Sequence, residues 1–378
     1  MTSPPRYLAL LDQLRGLAAA SVVVAHLVGG FLADHGRDWP PMTLLRRFAL
    51  DPLVIVQDMG WLGVAVFFLI SGYVVTQARQ RERAWAFGVR RILRIYPPLI
   101  ATILLVLAIT PAPTPAGLSV VSAGAGVEDW LVAGTLANYV LPGFTPIVGV
   151  AWTLAVEVVF YALVAAIGWL RGRAVWLMPV LILVVCAAAV LTARSFGDVY
   201  FLVAANLSYV PLLVLGQLTF LWHRGQVRAW VAIALGVAAW VVFVLGLEGI
   251  QPIFLDPPTS YGPSLLLAGA LFAGAIALEG RLRSRRALRV LAARSYSLYL
   301  VHGPVGLTVL WMVVLELGLP YELGLALALA AVAAATELVH RAAEVPGIAI
   351  GRRITRSAPS VRGTAVAAST DASAPAAT

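Results

Sequence analysis

The sequence contains no lysine: all 27 of its basic residues are arginine, in a chain of 378 residues. It contains one cysteine, Cys186, so no internal disulfide and no cysteine-based metal cluster can form. Charged residues make up only 12%, against about 25% in an average soluble domain. No set of histidines and carboxylates has a zinc spacing. There is no serine nucleophile elbow and no Walker loop. These absences exclude a disulfide-stapled secreted module, a soluble enzyme and the common motif-bearing hydrolases. What is present is apolar: 61% of residues are hydrophobic and the mean hydropathy is +0.90. A soluble core of this size cannot hide so much apolar surface, and a disordered chain would not carry it.

Stretches of about 20 apolar residues are long enough to cross a bilayer. Ten are expected, near 8–32, 61–76, 96–109, 151–170, 174–192, 200–221, 229–247, 262–278, 297–317 and 323–340. The first is not a signal peptide, because Asp12, Arg15 and His26 interrupt it and no cleavage box follows. Segment 128–141 is too short to cross and is expected at the surface or re-entering. With the N-terminus inside and alternating spans, 22 arginines fall inside and four (Arg37, Arg46, Arg47 and Arg194) outside. That bias supports both termini in the cytoplasm. It also explains the formal charge of +9 without nucleic acid. The expected fold is therefore all-α, a polytopic membrane bundle of about ten helices in the cell membrane. Residues 1–356 form one membrane domain. Residues 357–378, rich in Ala, Ser and Thr, form a disordered tail.

Ionisable groups inside such spans point to function. Arg15 and His26 are eleven residues apart, about 20° around the helix and about 16 Å along it, so both lie on one face. A guanidinium suits phosphate or carboxylate, and a neutral imidazole suits proton abstraction. Glu157 sits in the fourth span and needs a cation or a proton. A pairing with His26 would leave one ring nitrogen free as base; the bland alternative is a carboxylate pinning two helices. Arg91 and Arg94 share a face at the inner mouth and could clasp a phosphate, or could be topology signals meeting acidic lipid. His302 lies two turns into the ninth span beside Pro304, which loosens the backbone ladder. It could orient a substrate or simply join two helices. Ser71-Gly72 marks a close helix approach. His340 and Glu337 are expected to pair or to meet headgroups, and His35 and His223 to lie at the interface.

In order along the chain, several motifs resemble those of the membrane acyltransferase type 3 family. They are Leu11-Asp12-Gln13-Leu14-Arg15 with His26 eleven residues after Arg15, the run Phe67 to Tyr73, and Arg91 with Arg94 and Pro97. Trp152 with Glu157, Phe160 and Tyr161 follows, then Ser295 to His302, then Glu344 with Pro346. The resemblance covers residues 5 to 356. It departs mildly at Thr153, where many members have Ser.

The resemblance implies acyl transfer, often of acetyl, from cytosolic acyl-coenzyme A to a hydroxyl of a surface glycan, a lipid-linked saccharide or a macrolide-type metabolite. Acyl-coenzyme A, acetyl-coenzyme A in the first instance, would act as co-substrate, with no permanently bound cofactor and no metal.

 Arg15, Arg91 and Arg94 would hold its phosphates, and His26 would be the base, with Glu157 and Arg15 completing the catalytic set. Tyr161, Tyr299 or His302 would stabilise the oxyanion, and Asp12 and Trp152 complete the substrate candidates. A transient acyl-His26 is the covalent variant. Some members carry an extracytoplasmic hydrolase-like domain; none is seen in this sequence, which implies direct transfer. The partners implied are acyl-coenzyme A, a hydroxyl acceptor and the lipid bilayer, with the oligomeric state open. The rival reading is a proton-coupled transporter using buried His26 and Glu157. It predicts substrate flux without thioester dependence.

Overall fold

The structure is a computed structural model that describes residues 8–55, 59–109, 125–172, 174–250 and 261–356. Every regular element among the described residues is helical. Eight helices are long and apolar enough to cross a membrane: α1 (Ala9–Asp34), α2 (Gly60–Arg79), α3 (Ala84–Ile109), α4 (Gly149–Ala166), α6 (Gly197–His223), α7 (Ala229–Gly249), α9 (Arg286–Glu316) and α10 (Tyr321–Thr355). Two shorter apolar helices, α5 (Leu177–Leu191) and α8 (Tyr261–Ala277), complete the order. The ten helices coincide with the ten stretches expected from sequence. By length and composition eight qualify as spans, because α5 has 15 residues and α8 has 17, below the roughly 20 that a hydrocarbon core of about 30 Å requires. The tail 357–378 lies outside the described residues.

Helix α2 is the hub. It is apolar all round, most of its residues are buried, and it packs on α1, α6 and α8. A helix without a polar face belongs inside a bundle. Its contact with α6 depends on two missing side chains. A Cβ on Gly72 would overlap the Leu213 carbonyl, and one on Gly216 would overlap the Leu69 carbonyl. The Ser71-Gly72 approach expected from sequence is therefore a backbone-to-backbone contact. By contrast α7 and α10 leave most of their apolar surface uncovered within the chain.

Helix α1 starts with help from a distant segment. The Leu10 amide, an orphan donor of the first turn, donates to the Glu279 carboxylate at 2.9 Å. Gln13 accepts from the Arg285 amide at 3.1 Å. Both bonds join the start of α1 to the segment before α9.

Helices α1 and α9 each contain a wide turn of π type, at Ala25–Gly30 and His302–Leu307. Pro304 lies inside the second and supplies no backbone donor, which disfavours the ordinary α ladder there. Such turns are frequent at functional sites.

Segment 128–141 does not cross: it forms a short helix, Val127–Ala133, and a single 3-10 turn, Ala137–Tyr139. Buried Asp129 accepts the amides of Gly126 and Thr145, each at 2.8 Å. The Tyr139 hydroxyl donates to the Val148 carbonyl at 2.6 Å. Burial pushes the Tyr139 phenol above its ordinary pKa, so it remains a donor.

The pairing expected between His340 and Glu337 does not occur. His340 Nδ1 meets Glu344 Oε2 at 2.8 Å, while Glu337 binds Arg294 and Arg341. Within a helix the i,i+4 carboxylate competes with the i−3 one, and Arg294 from α9 takes Glu337.

Candidate active site

The candidate polar side chains fall into two groups inside the bundle. The first is a pair of histidines where the two π-type turns touch. His302, fully buried, places Nε2 3.2 Å from His26 Nδ1. The ring centroids are 5.1 Å apart. His302 Nδ1 also lies 2.7 Å from the Tyr299 carbonyl, and His26 Nδ1 lies 2.9 Å from the Val22 carbonyl. A carbonyl can only accept, so both Nδ1 atoms carry the proton. His302 Nε2 is then an acceptor facing the His26 Nδ1 hydrogen. His26 Nε2 keeps its lone pair and makes no hydrogen bond within the described residues. That is the tautomer a proton acceptor needs.

Glu157 takes no part in this pair. The carboxylate accepts from the Tyr161 hydroxyl at 2.8 Å instead. The expected Glu157–His26 pairing is therefore corrected: a histidine from α9, not the carboxylate from α4, meets the ring. The Glu157 side chain has a hydroxyl on its own helix at i+4, and α1 packs mainly on α9 and α2.

The second group lines a cavity with about 810 Å³ of empty space, open mouth included. Its wall brings together Arg15, Arg91, Arg94, Glu157, Tyr161 and Tyr299, four helices' worth of residues selected from sequence. Arg15 is balanced by Asp12 at 2.7 Å and donates to the Ala292 carbonyl at 3.2 Å. Arg91 stacks its guanidinium over the rings of Phe87 and Tyr161, 5.4 and 5.8 Å from their centroids. Its Nε is buried and meets no acceptor among the described residues. With Asp12 neutralising Arg15, Arg91 and Arg94 face one carboxylate, Glu157. The wall therefore carries an excess positive charge and an unsatisfied donor, the features of an anion site.

Tyr299 connects the two groups. Its ring lies on the cavity wall and its centroid is 5.8 Å from that of His302. Its hydroxyl meets Thr153 at 3.0 Å and the Val150 carbonyl at 3.2 Å. Phe67 and Phe68 supply apolar wall, so the run from Phe67 to Tyr73 is more than core. Two candidates sit behind the wall. Asp12 acts through Arg15, and Trp152 packs against Tyr209, with centroids 4.7 Å apart. Ser71 and Ser295 also line the cavity; both stood in motifs that carry the resemblance, but neither was singled out as a candidate. No group of three or more His, Cys, Asp or Glu among the described residues could hold a metal ion.

Residues 8–338 match the family model Acyl_transf_3, described as an acyltransferase domain. The chain belongs to that acyltransferase family. Among curated relatives, Nodulation protein 10 of Rhizobium leguminosarum bv. viciae is 29% identical over 315 residues, covering 68% of this chain and 80% of the relative. Acyltransferase MdmB of Streptomyces mycarofaciens is 29% identical over 335 residues, covering 79% of each. O-acetyltransferase OatA of Staphylococcus aureus (strain NCTC 8325 / PS 47) is 25% identical over 333 residues, covering 80% of this chain and 51% of OatA. The chain thus spans about half the length of OatA. No solved structure matches the chain. As a member of the Acyl_transf_3 family with eight helices suited to crossing a bilayer, the protein is a multi-pass membrane acyltransferase.

Proposed function

We propose that the protein transfers an acyl group, acetyl in the first instance, from cytosolic acyl-coenzyme A to a hydroxyl of a sugar-containing acceptor. The observation that carries this reading is the His26–His302 contact: with His26 Nδ1 placed against the Val22 carbonyl and His302 Nε2, the assignment leaves His26 Nε2 as the base nitrogen, close to a basic cavity. The names of OatA and MdmB, an O-acetyltransferase and an acyltransferase, support the reaction class.

Arg91 and Arg94 would hold the phosphates of coenzyme A, with Arg15 beside them. The thin pantetheine arm would follow the wall past Tyr299 toward His26. The acceptor hydroxyl then attacks the thioester carbonyl carbon while its proton passes to His26 Nε2. The C–O bond forms as the carbonyl becomes an oxyanion, and Tyr299, whose ring centroid lies 5.8 Å from that of His302, is the candidate donor to it. The C–S bond breaks, the sulfur takes the proton from His26, and the products are the acyl ester and coenzyme A. Orientation of the two reactants supplies much of the rate. Glu157 would fix Tyr161, over which Arg91 stacks, so its role in this scheme is to position the phosphate-binding arginine.

The test uses the purified protein in lipid with radiolabelled acetyl-coenzyme A and a panel of sugar and macrolide hydroxyls. Label transferred to an acceptor as an ester supports the reading. Substrate flux across the bilayer with no thioester consumed would replace it with the transporter.

A further inference from the structure

A second cavity lies at the other end of α1 from Arg15. It is lined by Gly29, Arg37, Asp38, Trp39, Thr43 and Arg46, among others. Gly29 belongs to the same π-type turn as His26 and follows it by three residues, about 4–5 Å along a helix axis. The cavity therefore opens within one turn of the proposed base, away from the arginines proposed to hold the donor.

Its walls are shaped by backbone. Gly36 takes a positive φ of 59°, which reverses the chain after α1. Pro40 then starts the short helix Pro40–Leu45, and Thr43 bonds back to the Trp39 carbonyl. Trp39 is steadied by Tyr321, with centroids 5.8 Å apart, and the Tyr321 hydroxyl donates to the Leu27 carbonyl at 3.0 Å. That chain of contacts ties the cavity wall to the turn that carries His26.

The decisive residue is Arg46. Its Nε is buried and finds no acceptor among the described residues. No carboxylate among the described residues forms an ion pair with it. A buried guanidinium donor left unmatched is costly unless a ligand completes it. Arg37 adds a second guanidinium, Asp38 an acceptor for hydroxyls, and Trp39 an aromatic ring.

We infer that this cavity is the acceptor subsite, and that it takes a saccharide bearing an anionic group, a phosphate or a carboxylate. The inference rests on the acyltransferase reading for its link to the reaction. The guanidiniums meet the anion, Asp38 accepts from sugar hydroxyls, and the Trp39 ring offers its face to the sugar ring.

The test measures retention of radiolabelled glucose 1-phosphate by the full chain in phosphatidylcholine nanodiscs. Glucose, inorganic phosphate and coenzyme A serve as competitors. Saturable retention is expected, with glucose and inorganic phosphate each competing at least about tenfold less well than the unlabelled probe. Arg46→Gln should raise the Kd about tenfold, the loss expected for one charged hydrogen bond. Arg46→Lys should restore part of it, and coenzyme A binding should stay within about twofold of wild type. An unchanged Kd in Arg46→Gln overturns the subsite. So does equal competition by inorganic phosphate, which would mean an anion site blind to sugar, or displacement by nanodiscs containing phosphatidylglycerol, which would mean a lipid headgroup. If Arg46→Gln fails to accumulate, the exposed Arg37→Gln replaces it, and the competition arms need no variant. Failure of the acyltransferase reading is separate: acetyl-coenzyme A would not be consumed, while retention of the sugar phosphate would still be measured.

Discussion

At the scale of single residues, the account turns on what each nitrogen can do. His302 Nε2 has no role except to accept from His26, because its other nitrogen is committed to backbone carbonyls. His302→Ala should therefore lower kcat about 10- to 100-fold and leave KM for the thioester unchanged. His302→Gln, which keeps an acceptor on a side chain of similar reach, should recover part of that loss. A steady-state series with protein of matched melting temperature checks this; a rise in KM alone would assign His302 to binding instead. Arg91→Ala should raise KM for acetyl-coenzyme A about tenfold with little change in kcat, as expected for binding shared by ground and transition states. Six of the candidates picked from the sequence, Arg15, Arg91, Arg94, Glu157, Tyr161 and Tyr299, line one cavity. The sequence did not show who pairs with whom. Spacing alone offered Glu157 as the partner of His26 and left the helix partner of His302 unnamed, since neither neighbouring helices nor side-chain direction is written in spacing. Arg46 was legible only as one of four outward arginines, because an unmatched donor is a property of packing.

At the scale of elements, the glycines make two opposed predictions. Gly72→Ala drives a Cβ into the Leu213 carbonyl, and backbone cannot yield as a flexible side chain can. Overpacking of this kind costs about 1–3 kcal/mol or more, so the melting temperature in detergent should fall by several degrees. Gly88→Ala on α3 meets nothing within 4 Å. It should be neutral or stabilise by up to about 1 kcal/mol through helix propensity. Equal melting temperatures for the two variants would contradict the α2–α6 contact. The helix positions themselves were readable because an apolar run of 15 to 30 residues leaves a strong signal. Helix ends were less so. The π-type turns at Ala25–Gly30 and His302–Leu307 leave only weak traces, Gly29, Gly30 and Pro304, although they bring the two histidines together.

At the scale of the whole molecule, the arginine bias predicts an orientation and with it a side for each cavity. In that orientation Arg91 and Arg94 would face the cytosol, the side of the proposed donor, and Arg37 and Arg46 would face outward, the side of the proposed acceptor. Cys186 is buried, so its replacement by Ala gives a thiol-free background. In that background Ser284→Cys should react with a membrane-impermeant maleimide only after permeabilisation, and Asp38→Cys in intact cells. The reverse pattern would invert the topology and with it the roles of the two cavities. A donor on one side and an acceptor on the other require one residue that both can reach, and His26 lies between the cavities along α1.

The most direct test of that claim is coenzyme A thiol release from acetyl-coenzyme A by the purified protein in lipid, wild type beside His26→Ala, with acceptor present. The account predicts that wild type releases thiol and forms ester. It predicts that His26→Ala releases thiol at least about 100-fold more slowly while still binding coenzyme A. Equal rates in the two proteins would contradict it.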